Sequence, residues 1–507
     1  MSKRTQNSLR NIGFGMINRI VSILFPFIVR TIFIKILGEE YLGLNSLFSS
    51  ILQVLNLADL GFASAIVASM YKPIAEEDIE KVSALMALYK KLYKIIGLGI
   101  LAIGLVMTPF IRYLINGTPP ENINIYTLWI LYLANTVVSY LFYAYKVSLI
   151  NAHQRNDITE KIGAASRIIF SILQILAVIL LKDIYAYVLL TVINSIVYNM
   201  WCAKECDKRY PQYVCAGELD IKTKKQITNN VGALALQKIG NTVSISLDSI
   251  IISAFLGLKT VAIYGNYYYV VSAVAIFINL IYGAVVASIG DSIATESSEK
   301  NWHDFKIFFF LNTWLVGWCC ICFICLFQDF MTIWMGKDLL FGIGTVLCLV
   351  LRFYFEQVRK VILTYKDAAG MWWADKWRPI VGCLVNLILN IVMVKAIGVV
   401  GVMLSTVISY AMVEIPWETH ALYKYYFDKS ELSYYKQLLT ATISLVVSGM
   451  VTYKICTYIC FNHIVSLFIK GVVCTIIPNL IFWLLNLKNP ECANGMKFVK
   501  KIIKSSH

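Results

Sequence analysis

The chain has 507 residues, 58% of them hydrophobic and 15% charged, with a formal net charge of +15. A soluble domain could not keep that much apolar surface away from water, so the bilayer is the expected solvent. The basic residues are spread along the chain and follow a topological rule, which sets nucleic-acid binding aside.

Fourteen apolar stretches follow in chain order: roughly 11–37, 41–70, 92–114, 123–149, 162–181, 184–203, 229–256, 261–289, 305–327, 339–363, 380–396, 399–423, 438–458 and 464–485. Each has the ~17 to 25 or more residues that a helix needs to cross about 30 Å of hydrocarbon. With the N-terminus placed inside, about 32 Lys and Arg fall in the tails and alternate loops against about five in the opposite loops. Both termini are therefore expected in the cytoplasm. The first stretch is too long and too charged for a signal-peptide core and is read as a retained helix. Far-side loops such as 38–40 and 257–260 leave no room for a catalytic domain.

An internal repeat divides the chain. Residues 11–20 align without gaps against 230–239, pairing Asn11 with Asn230, Gly13 with Gly232 and Arg19 with Lys238. The same offset pairs Leu37-Gly38 with Leu256-Gly257, and a second echo pairs 189–193 with 404–408. Two pseudo-symmetric six-helix lobes in one orientation follow. The expected division is an N-lobe over 1–205, a basic cytoplasmic linker over 206–226, a C-lobe over 227–424, and two further helices with a basic tail over 425–507. The fold class is an all-α polytopic membrane protein with about fourteen transmembrane helices.

Arg19, Arg30, Asp59, Lys238, Asp248, Arg352 and Glu356 lie inside these stretches. A charge at membrane depth is costly unless it meets a partner or a wet cavity, so the chain is expected to enclose a polar pathway, and its cationic excess points to an anionic cargo. Arg19 and Arg30 are eleven residues apart, so they share a helix face and stand roughly 16 Å apart along it, with Pro26 on the same stripe. Snorkelling to the outer interface is an equal reading for Arg30. Arg352 and Glu356 are spaced as a self-neutralising pair, with Arg359 returning to nearly the same face.

The pattern Asn11-x-Gly13 with Arg19, the Ile36-Leu37-Gly38 helix end, Asp59-Leu60-Gly61, and Leu256-Gly257 followed by Tyr264 resembles the polysaccharide flippases of the multidrug/oligosaccharidyl-lipid/polysaccharide (MOP) exporter superfamily. Fourteen helices look like the lipid II flippase branch and some capsule exporters, where many O-antigen relatives have twelve. The resemblance implies transport of an undecaprenyl-diphosphate-linked oligosaccharide to the outer leaflet of a bacterial plasma membrane, without enzymatic activity. Membrane lipids and polysaccharide polymerase or assembly proteins are the implied partners. On that basis Arg19, Arg30, Lys238 and Arg352 are assigned to diphosphate binding, and Pro26, Asp59, Glu356 and Arg359 to ion pairing or gating. No cofactor is expected, with Na⁺ or H⁺ as coupling ion. Asp248, Asn386, Asn390, Thr406 and the Val402 carbonyl look like the sodium site of the lipid II flippase relatives, although Asn390 stands where an acid is expected. Interhelical amide bonding is the competing reading for those groups. Glu414 and Glu418, flanking Pro416, are alternative proton carriers.

Two rival functions share some of these features: a drug or organic-cation antiporter of the same superfamily, and an integral-membrane glycosyltransferase or polymerase. Cys319, Cys320, Cys322 and Cys325 crowd one helix, where they point in different directions and read as small apolar packing residues, so no metal site is expected. The aromatic clusters at 267–269 and 372–377 read as interfacial belts, and the basic segment 496–504 as a surface helix.

Overall fold

A computed structural model of the chain describes residues 3–56, 62–220, 224, 243–244, 246–371 and 374–505. All regular structure among the described residues is helical. The chain divides into two compact units, Met1–Ala262 and Ile263–His507. The first carries α1 (Lys3–Ile36), α2 (Glu39–Leu55), α3 (Phe62–Ala75), α4 (Ile79–Met107), α5 (Ile125–Leu141), α6 (Ala144–Ala152), α7 (Asn156–Leu181), α8 (Ile184–Arg209) and α9 (Ser246–Leu256). Then come α10 (Leu258–Thr295), which enters the second unit, α11 (Ser298–Met335), α12 (Ile343–Val358), α13 (Lys360–Ala368), α14 (Arg378–Ser409), α15 (Ile415–Leu422), α16 (Leu432–Thr457), α17 (His463–Leu485) and α18 (Pro490–Ser505).

Where its residues are described, each apolar stretch falls on a helix or a pair of helices, the stretch at 229–256 being represented by α9. Nine helices among the described residues are long and apolar enough to cross a membrane by themselves, and α5 with α6 makes a tenth, bent by 47°. The stretch expected at 41–70 is carried by α2 and α3, and that at 339–363 by α12 and α13.

Polar side chains between helices report the packing direction. In the first unit the amide of Asp157 donates to Asn11 Oδ1 at 2.8 Å and Asn18 donates to Glu160, so α1 and α7 run parallel. Ser195 donates to Asn135 at 2.8 Å and Asn199 to the Ser139 carbonyl at 3.1 Å, which makes α5 and α8 parallel. The pairs Ser166–Asn194 and Gln174–Thr191 make α7 and α8 antiparallel. In the second unit Trp314 donates to Asn479 at 2.8 Å and Trp318 to the Cys474 carbonyl at 2.9 Å, so α11 and α17 are antiparallel. These directions agree with strict alternation of the apolar stretches across the membrane. Lipid offers such groups no hydrogen bonds, so each pair contributes about 1 kcal/mol and, more usefully, selects the register.

The paired glycines of the internal repeat do the same local job. Gly38 closes α1 at φ 102° and Gly257 closes α9 at φ 86°, a turn that glycine makes without a Cβ clash.

α14 is a hairpin rather than a single rod. Ile397 and Gly398 leave helical geometry, Gly398 adopting φ 60°, ψ −137°, and the second half folds back on the first. Gly401 makes the close approach possible, since a Cβ there would run into the Met393 carbonyl. Gly398 is not crowded, so replacing it strains only the backbone. Gly398→Ala is expected to lower stability by about 1–3 kcal/mol, read as a drop in the thermal unfolding midpoint of the purified protein, while Gly342→Ala, at φ −62° in open space, leaves it unchanged.

Candidate functional site

On α1, the helix runs unbroken through Pro26, so Arg19 and Arg30 do share one stripe. Arg19 is exposed and pairs with no carboxylate among the described residues, whereas Arg30 is half-buried. The acids that α1 meets lie on its α7 side: Asp157 pairs with Arg10 at 3.1 Å and with Arg155 at 2.8 Å, and Glu160 accepts from Asn18. Those contacts, among the described residues, do not include the Arg19 guanidinium. Lys238 and Asp59, assigned to headgroup binding and to ion pairing, lie outside the described residues.

The α14 hairpin carries a ladder of polar contacts from its turn to its open end. Nearest the turn, Ser405 donates to Asn390 Oδ1 at 2.5 Å and to the Val402 carbonyl at 2.8 Å. Next, Asn390 donates to Asn386 Oδ1 at 3.2 Å, and Asn386 donates to Thr406 Oγ1 at 3.0 Å. Ser409 donates to the Gly382 carbonyl at 3.1 Å. Four of the five groups read as a cation site are thus brought together as a chain of neutral hydrogen bonds. Asp248, the fifth, is fully buried on α9 and takes part in a polar interaction there.

At the open end sits a buried cluster of six charges. Arg359 reaches Glu414 at 3.3 Å and Glu418 at 3.0 Å. Arg378 pairs with Glu414, with Glu418 at 2.8 Å and with Asp375 at 2.8 Å, and Lys366 pairs with Asp375 at 2.5 Å. None of the six is more than 5% exposed, and three cations balance three anions. The Arg359 guanidinium also lies 4.9 Å from the Tyr410 ring centre. A π-helical turn over Tyr410–Glu414 precedes Pro416. Proline supplies no N–H and crowds the preceding turn, so widening that turn relieves the clash and sets where Glu414 points. Gly382 opposite leaves room for the Glu414 carboxylate.

Arg359 caps α12 at its joint with α13, where the backbone tightens to φ −66°, ψ −15°, and this brings its head to Glu414 and Glu418 on the hairpin. Arg352 is 1% exposed, donates to Tyr264 at 2.8 Å and lies 5.2 Å from the Tyr268 ring centre. Glu356 is half-buried one turn further on. Sequence reasoning counted Lys366 and Arg378 only among the loop cations and passed over Asp375. The available signal was Glu414 and Glu418, two like charges one turn apart in an apolar segment, which require cations from elsewhere.

The fold is like that of solved flippase and transporter structures. The solved lipid II flippase MurJ, in an inward closed conformation, is 16% identical with a TM-score of 0.70 over 94% of this chain and 99% of that one. An inward-facing multidrug resistance MATE family transporter is 15% identical with a TM-score of 0.63 over 79% and 94%. A MOP superfamily transporter from Pyrococcus furiosus, described as having a binding pocket of reversed polarity, is 14% identical with a TM-score of 0.57 over 84% and 96%. No curated protein matches. The chain belongs to the polysaccharide biosynthesis protein family, whose model matches residues 8–287.

Removing one member of a buried charge cluster leaves its partner uncompensated, at about 3–5 kcal/mol. Arg378→Gln is therefore expected to lower the unfolding midpoint sharply. Adding Glu418→Gln should restore part of the loss, a coupling of about 0.5–3 kcal/mol measurable in a double-mutant cycle.

Proposed function

We propose that this protein moves an undecaprenyl-diphosphate-linked oligosaccharide from the cytoplasmic to the outer leaflet of a bacterial plasma membrane, by alternating access of two lobes and with both termini cytoplasmic. The observation that carries the reading is Arg19, an exposed guanidinium on the α1 stripe that meets no carboxylate among the described residues. A diphosphate needs such a group, because a guanidinium fork can bind two phosphoryl oxygens at once while the polyprenyl tail stays in lipid. Arg30 extends the stripe toward the other leaflet. The family, named for polysaccharide biosynthesis, agrees with a glycan cargo. An apolar cavity of about 420 Å³ in the second unit, lined by Ile321, Leu347, Tyr354, Leu445 and Met450 among others, suits a hydrocarbon chain.

Coupling by Na⁺ at Asn386, Asn390, Val402 and Thr406 belongs to the same proposal. The amide oxygens there already accept hydrogen bonds, so a cation must displace those donors on entry. Polymerase or assembly proteins are the proposed partners that receive the flipped product. The second reading, a drug or organic-cation antiporter, is favoured only by the likeness to MATE structures.

The two readings separate on charge reversal. Arg19→Glu is expected to abolish complementation of a deletion strain and to make lipid-linked oligosaccharide accumulate on the inner leaflet, measured by its protection from an external glycan-modifying reagent. A variant that flips normally, or that gains export of cationic dyes, would overturn the proposal.

A further inference from the structure

Away from the α14 hairpin, three buried thiols converge. Cys325 on α11, Cys456 on α16 and Cys474 on α17 place their sulfurs within 4.8 Å of one another, with Cys456 and Cys474 at 4.0 Å. Their exposures are 8%, 3% and 0%, and Ile321, Leu326 and Val473 pack around them. Cys322, one turn before Cys325, packs against the same group and reaches Cys474. A disulfide would need its sulfurs at about 2.05 Å. Three or four sulfurs bound to one ion at about 2.3 Å stand about 3.8–4.0 Å apart, close to what is found here. The ligands come from three separate helices, which answers the objection that neighbouring cysteines on one helix point in different directions.

We propose that Cys325, Cys456 and Cys474, with Cys322 in reach, form a buried site for a thiophilic d¹⁰ cation that clasps α11 to the α16–α17 pair. Sulfur-only donors in an apolar pocket select a soft ion over Na⁺, Mg²⁺ or Ca²⁺. Cu(I) is satisfied by the three sulfurs, while Zn(II), which prefers four ligands, draws in Cys322. Each thiol that binds releases its proton to solvent as the sulfur–metal bond forms, so no oxidant or reductant enters the step. Three thiolates around Cu(I), or four around Zn(II), leave two negative charges. Lys470, one turn before Cys474 on the same face of α17, brings its ammonium to that end of the cluster, where Asp329 holds it at 2.6 Å.

The test uses the full-length protein, reduced and kept anaerobic in lipid nanodiscs, loaded with Cu(I) or with Zn(II) and then passed over a chelating column. Wild type is expected to retain one ion per chain, with X-ray absorption giving a sulfur-only shell at about 2.3 Å. The shell should hold three sulfurs for copper and four for zinc, and loading should raise the unfolding midpoint. Cys474→Ser should weaken retention by about ten-fold or more, and Cys348→Ser should not. Three results would overturn the proposal. They are no retained metal in wild type, retention unchanged in both Cys474→Ser and Cys325→Ala, or a Cys456–Cys474 disulfide found by mass spectrometry in place of metal binding. The wild-type measurement decides even if the variants fail to fold.

Discussion

A carboxylate or guanidinium taken out of water must meet an opposite charge, and in the second unit this requirement organises an entire helical hairpin. Arg359 and Arg378 grip Glu414 and Glu418 at the open end of α14, and Asp375 links Arg378 to Lys366. Isolated, any one of these charges would cost several kcal/mol at that depth. Together they are neutral, and the features around them follow from that closure. The π turn before Pro416 aims Glu414, Gly382 makes room for it, and the joint at Arg359 turns a guanidinium inward.

Closer to the turn the same hairpin is held by neutral groups. Asn386, Asn390, Ser405 and Thr406 hand hydrogen bonds along a chain, and Gly398 and Gly401 let the two halves turn and touch. The hairpin therefore grades from uncharged near its turn to fully ionic at its mouth. Neutral amides can exchange partners at about 1 kcal/mol each, whereas the ionic end resists rearrangement by several times that. A cation competing for these oxygens would find the softer end the cheaper one to open.

α1 follows the opposite logic. It has no acid of its own, the α7 acids Asp157 and Glu160 engage Arg10, Arg155 and Asn18, and Arg19 is left exposed. A protein seeking only stability would pair that charge. An exposed cation that meets no carboxylate among the described residues suits a site whose counter-ion arrives with the cargo, as proposed above.

The amino-acid sequence by itself determined the helical class, the number and order of the apolar stretches, the matched glycines that end α1 and α9, and the shared stripe of Arg19 and Arg30. All of these depend on hydropathy, helical periodicity or backbone freedom, which act over a few residues to a few turns. Even the hairpin break at Gly398 was legible, since the stretch ending at 396 and the one starting at 399 are separated there. Tertiary structure alone decided who pairs with whom. Lys366, Asp375 and Arg378 look like ordinary loop charges until α14 folds back and sets Glu414 and Glu418 against them. Cys325 looks like one of four cysteines on a single helix until α16 and α17 bring Cys456 and Cys474 beside it. Charge compensation and ligand convergence depend on distance in space, and residues tens of positions apart in the charge cluster, or more than a hundred apart in the cysteine group, carry no local sign of meeting.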